Sequence, residues 1–227
     1  MYSKLKKNDF FCPVLVNRIY DRSKATTKLS SNIPMNFQVF SQCPLPSNTK
    51  LEIVKTNFKY EICNIDKKIL INGHNINCCK NSIKDTICID NKMLSTTNDE
   101  CNKITFNIIE NLNVSFKVEI EIEGIAYIND CQKIYFEAIG CGEDNINAII
   151  LSNILIPNPR NLSNNAYLEI NNDILGLASP DCIFLSPIFD CKKNIDSLFG
   201  NVFLNYMIEL DISCLMPSAL NLLKSKC

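Results

Sequence analysis

The chain of 227 residues predicts a mostly-β protein, an antiparallel β-sandwich of jelly-roll-like kind. Three observations predict it: one long run of strict apolar–polar alternation, many short runs rich in β-branched and aromatic residues, and turn-forming clusters between them. Residues 1–50 hold Pro13, Pro34, Pro44 and Pro46 and show weak periodicity. They are expected to form an irregular N-terminal arm packed on the core, or a connector to a neighbouring molecule. Residues 51–227 are expected to form the sandwich core.

Within that core the strand runs are Leu51–Ile62, Lys68–Ile71, Ile104–Ile109, Lys133–Ile139, Ala148–Ile156, Tyr167–Ile170, Cys182–Phe189 and Phe203–Ile212. The clearest strand alternates Val114, Phe116, Val118, Ile120 and Ile122 with Ser115, Lys117, Glu119, Glu121 and Glu123. Period two places the apolar side chains on one face and the charges on the other. Gly124 then predicts a bulge or bend before residues 125–128 continue. Asn72-Gly73 predicts a tight hairpin, because both central positions of a type I′ turn need positive φ. Asn129-Asp130, Pro157-Asn158-Pro159, Asn171-Asn172-Asp173 and Ser179-Pro180-Asp181 read as further turns, and Gly140-Cys141-Gly142 as a flexible one. Helix is scarce. Ile195–Gly200 holds one turn at most, and Pro217–Lys226 predicts a short C-terminal helix with proline in its first turn.

Composition narrows the function. Net charge is −1 without a one-sided block, so no basic face for nucleic acid or membrane is expected; Lys4–Lys7 is too short to be one. No apolar run reaches the ~20 residues that span a bilayer. The N-terminal apolar run is broken by Pro13 and lacks the h-region and cleavage site of a signal peptide. Asn113-Val114-Ser115 and Asn161-Leu162-Ser163 match the glycosylation pattern and are read as chance matches without a secretory signal.

Against that background, thirteen cysteines are many, and the number is odd. They can be metal ligands, a catalytic set, or thiols oxidised after release from the cell that makes them. Metal is disfavoured, because no Cys-x-x-Cys knuckle occurs and adjacent Cys78 and Cys79 point to opposite faces of a strand. Cys–His catalysis needs an imidazole, and the one histidine, His74, lies in the Asn72–Asn75 turn. Glu119, Glu121 and Glu123 offer paired carboxylates, yet such a row is more often the wet face of a sheet. No catalytic, cofactor or metal residue is therefore assigned.

Disulfides are the leading reading. Cys12, Cys43, Cys78, Cys79 and Cys227 are the candidates for links between molecules; Cys12 and Cys227 lie near the mobile chain ends. Cys63, Cys88, Cys101, Cys131, Cys141 and Cys191 are the candidates for links within the chain. Cys182 and Cys214 sit in apolar stretches and read as small hydrophobes.

The opening Phe11-Cys12-Pro13-Val14-Leu15-Val16-Asn17-Arg18-Ile19-Tyr20-Asp21, followed by Cys43-Pro44-Leu45-Pro46, resembles the CPxLVNRxYDS opening of a cysteine-rich family of spore-forming clostridia. That family is linked with the spore coat, exosporium or spore appendages. Arg22-Ser23 follow Asp21 here, where the family carries cysteines. The over-use of Asn, Ile and Lys suits an AT-rich genome. The resemblance implies synthesis in the mother-cell cytoplasm without a signal peptide, a place on the spore surface, and a structural role without catalytic residues. Its partners would be further copies of itself and other spore-surface proteins. The alternatives are a carbohydrate- or protein-binding β-sandwich and, behind it, a metal or thiol enzyme.

Overall fold

Alternate residues along a strand point to opposite sides, so a long two-period pattern makes a long strand with one dry face. The computed structural model describes residues 11–78, 81–89, 103–129, 132–157, 166–178 and 183–223. Five strands there run for 22 to 31 residues: β1 (Phe11–Ser41), β3 (Lys50–Ile71), β6 (Lys103–Asn129), β7 (Gln132–Pro157) and β10 (Asn194–Leu223). Shorter ones are β2 (Leu45–Pro46), β4 (His74–Ile76), β5 (Lys84–Cys88), β8 (Tyr167–Leu177) and β9 (Ile183–Phe189). All ladders are antiparallel and form one sheet in the order β4-β3-β6-β7-β1-β10-β8-β5, with β2 and β9 also on β10. No helix occurs among the described residues.

The dry face is one continuous apolar core. β6 contributes Phe106, Ile108, Leu112, Val114, Phe116, Val118, Ile120 and Ile122, and β10 contributes Leu198, Val202, Leu204, Tyr206, Ile208, Leu210 and Ile212. The two arms of the sheet meet across this core. Phe116 stacks on Tyr206 with ring centroids 5.0 Å apart. The Tyr60 hydroxyl on β3 donates to the Ile174 carbonyl of β8 at 2.7 Å.

The arms join at a fork. β1 pairs with β10 from Phe11 to Gln38, but with β7 only from Phe37 to Ser41. Phe37 is fully buried there, its ring lying where a Cβ on Gly140 would be only 2.6 Å away and one on Gly200 3.1 Å. Beyond the fork, side chains span the gap: Ser31 donates to Asp144, Ser23 and Ser152 share a hydrogen bond of 2.9 Å, and the Leu155 amide donates to Asp21 at 2.7 Å.

Several local expectations are corrected. The N-terminal segment is not irregular over residues 11–41: that stretch is β1, interrupted by one register shift between Ile19 and Asp21. The C-terminal helix is absent at 217–223, where the chain continues β10 and pairs with residues 11–17 of β1. Ladder pairing overrides the weak helical preference of that segment; residues 224–226 lie outside the described ones. Gly140-Cys141-Gly142 is not a turn but the middle of β7, its glycines making room for Phe37 and Met35. Asn171-Asn172-Asp173 is likewise mid-strand in β8. Gly124 continues β6, and the irregularity sits opposite it on β3, between Ile53 and Lys55. The Asn72-Gly73 hairpin forms as expected, with φ of 49° and 83°.

Candidate functional site: exposed thiols and a buried polar cluster

Seven cysteine side chains are described, all as free thiols. Cys43, Cys63, Cys88, Cys141 and Cys191 are exposed, Cys78 is half-buried, and Cys214 is buried. Burial, and secondarily the carboxylate of Asp21, push the Cys214 thiol up to about 11. Cys79, Cys101, Cys131, Cys182 and Cys227 lie outside the described residues, as does the side chain of Cys12.

The ladders order the thiols along the molecule. Cys43 follows the end of β1, and Cys191 precedes the start of β10, so both lie at one end of the long strands. Cys88 pairs with Tyr167, which pairs with Leu215, toward the other end; the backbone of Cys12, opposite Leu222, lies farther that way. Cys63 sits at a second register shift of β3, between Ile62 and Asn64. Cys141 is on β7, with β6 between it and β3. Two ladder spacings of about 4.8 Å each exceed the Cα reach of a disulfide, about 7 Å, so these two cannot pair without backbone movement.

Beside Cys43, a cleft of about 810 Å³ exposes Phe40, Val54 and Tyr135. Beside Cys141, a shallower hollow of about 600 Å³ is lined by Lys59, Glu61, Lys117, Glu119 and Glu143. The carboxylate row lies on this wet face. Glu123 is held by Lys55, Glu121 by Asn57 and Lys59, and Glu119 by Lys59. Its partners are the cross-strand residues of β3, which is the arrangement of a solvated sheet face. His74 lies on β4, its Nε2 buried without a hydrogen-bond partner among the described residues. No group of three His, Cys, Asp or Glu able to hold a metal occurs among the described residues.

A second constellation was not anticipated from the sequence. Lys67 of β3 and Glu110 of β6 project into the core from one arm; Asp85 of β5 and Asn172 of β8 project from the other. Lys67 Nζ lies 2.7 Å from Asp85 Oδ2 and donates to Asn172 Oδ1 at 2.8 Å. Asn172 Nδ2 donates to Glu110 Oε2 at 2.7 Å. Glu110 Oε1 is 3.9 Å from Lys67 Nζ and has no hydrogen-bond partner among the described residues. The side chains of Lys67, Asp85 and Glu110 are 1%, 3% and 0% exposed, so all three are buried in the core. Burial raises the Glu110 carboxyl above its ordinary range, against the opposing bond from Asn172 and charge of Lys67. Half-buried Cys78 feels the same place: burial first, then the charge of Asp85, raise its thiol.

No family model, curated protein or solved structure matches this chain.

The cluster had a signal in the sequence. Ile104, Phe106, Ile108, Glu110, Leu112 and Val114 keep strict period two, as do Ile65, Lys67, Ile69 and Ile71, and Leu168, Ile170, Asn172 and Ile174. Each row carries a single polar residue on its dry face. Extending the alternation through the Asn-rich stretches would have found three of the four members.

Proposed function

We propose that this chain is a self-assembling structural protein, cross-linked through cysteine and belonging to the bacterial spore surface. The observation that carries the reading is the placement of exposed free thiols toward both ends of a unit built from strands of up to 31 residues. We also infer that the two facing arms of the sheet constitute a β-sandwich, a reading supported by the Phe116–Tyr206 stack and the Tyr60–Ile174 bond across the core. Exposed apolar Phe40, Val54 and Tyr135 beside Cys43 offer a surface that a neighbouring copy would cover. Strand addition along β3 is opposed, because its outer edge carries Lys50, Lys55 and Lys59 and two bulges. In this reading thiol chemistry is the joining step. Disulfides formed outside a reducing cytoplasm make such an assembly persist until a reductant arrives. The spore-surface location rests on the resemblance of the residue 11–21 segment.

The test is electron microscopy of the purified protein after air oxidation, beside gels run with and without reductant. Ordered sheets or fibres, and ladders that collapse to the 25.7 kDa chain on reduction, are expected. Replacing Cys43 and Cys191 together by serine should shorten the ladders. A reductant-insensitive monomer without assemblies would refute the reading and favour a binding module.

A further inference from the structure

A lysine amine and a carboxamide held in contact, away from water and beside a buried carboxyl group, are the reactants and catalyst of amide exchange. We propose that Lys67 and Asn172 join through an intramolecular amide bond, with Glu110 as the proton carrier and Asp85 as the base that frees the amine.

The geometry selects the electrophile. Asn172 is held from both ends: its Oδ1 receives Lys67 Nζ at 2.8 Å, and its Nδ2 contacts Glu110 at 2.7 Å. With a C=O bond of about 1.2 Å, Nζ is at most about 4 Å from Cγ. That is close to the distance of a near-attack conformer. Nucleophile and acid thus converge on opposite ends of one carboxamide. Asp85, by contrast, meets the ammonium through its carboxylate, which is a poor electrophile and a good acceptor for the Nζ proton at 2.7 Å.

The atoms balance without an oxidant or a cofactor. Asp85 takes one proton from the Lys67 ammonium. The free Nζ attacks Asn172 Cγ, forming the new C–N bond, while Glu110 protonates Nδ2. The Cγ–Nδ2 bond breaks and ammonia leaves. The second Nζ proton returns to Glu110, and the ammonia takes the proton left on Asp85, departing as ammonium. Glu110 and Asp85 are regenerated. Burial, which raises the Glu110 carboxyl above its ordinary range, also strengthens the polarisation of the carboxamide by removing competing water.

The placement gives the bond a purpose. Lys67 and Asn172 are 105 residues apart, on strands separated in the ladder order by β6, β7, β1 and β10. A backbone hydrogen bond ties β3 to the segment that leads into β5, the Asn81 amide donating to the Ile65 carbonyl at 3.3 Å. An amide bond between Lys67 and Asn172 would close the free end of the folded sheet covalently. Unlike a disulfide, it would survive reductant.

Intact mass spectrometry of the full-length protein, fully reduced and alkylated under denaturing conditions, tests this. The expected mass is short by one ammonia, and a tryptic digest should contain a branched peptide joining the Lys67 and Asn172 segments. Glu110→Gln should restore the full mass. Because a core variant can fail to fold, the wild-type mass and the branched peptide decide the matter. The full calculated mass with both peptides linear overturns the proposal. A deficit of one water, with the branch at Asp85, overturns the choice of Asn172.

Discussion

A carboxyl group stripped of water holds its proton more tightly, and that proton becomes part of the fold. Glu110 has its value raised from 4.5 by burial first of all. The folded state therefore binds this proton better than the unfolded state does. Its contribution is fully present below the unfolded value and is lost as pH rises through the folded one. Urea unfolding from pH 4 to pH 8 should accordingly show a declining component that disappears in Glu110→Gln. A wild-type and variant pair with parallel pH profiles would remove this account. Replacing Lys67 by methionine removes the nitrogen that lies 2.7 Å from the buried Asp85 carboxylate, at a cost of roughly 3–5 kcal/mol in urea. Thiol reactivity divides the cysteines in the same way. Cys43, Cys63, Cys88, Cys141 and Cys191 should react with a thiol reagent at pH 8 in the native protein. Cys214, buried and pushed up to about 11, should label only on unfolding.

At the scale of elements, the fork between β1, β7 and β10 depends on one large side chain seated over two residues that have none. Phe37→Ala empties that seat and is expected to cost about 3–5 kcal/mol. Gly140→Ala drives a methyl to within 2.6 Å of the Phe37 ring and is expected to cost about 1–3 kcal/mol in thermal or urea unfolding. This region also shows how far the sequence could be read. The Val114–Glu123 alternation and the Asn72-Gly73 hairpin were legible because each is a local rule obeyed locally. Gly140-Cys141-Gly142 and Asn171-Asn172-Asp173 misled because turn residues stand inside strands for tertiary reasons, space for Phe37 and Met35 in one case and a polar partner in the other. Short runs such as Leu51–Ile62 and Lys68–Ile71 proved to be parts of one strand, joined across a bulge at Cys63 and the buried Lys67. The residues that broke the pattern mark the candidate site, and local propensity has no term for a partner 105 residues away.

For the whole molecule, strand length sets the shape. A strand rises about 3.3 Å per residue, so β6 and β7, of 27 and 26 residues, are each about 85–90 Å long. β10, of 30 residues, runs beside β1 over nearly its full length. A compact chain of 227 residues has a radius of gyration of about 17 Å. A rod approaching 90 Å has one of about 26 Å, from its length alone. Small-angle scattering in reductant, where disulfide assembly is suppressed, should therefore give a monomer well above the compact value. On oxidation, if Cys43 and Cys191 at one end meet thiols toward the other end, length should grow while the cross-section stays constant. If the thiols of the wet face, such as Cys141, join instead, the cross-section should thicken first. A compact reduced monomer would show that the long ladders coil back on themselves, and it would take away the end-to-end geometry on which a filament depends.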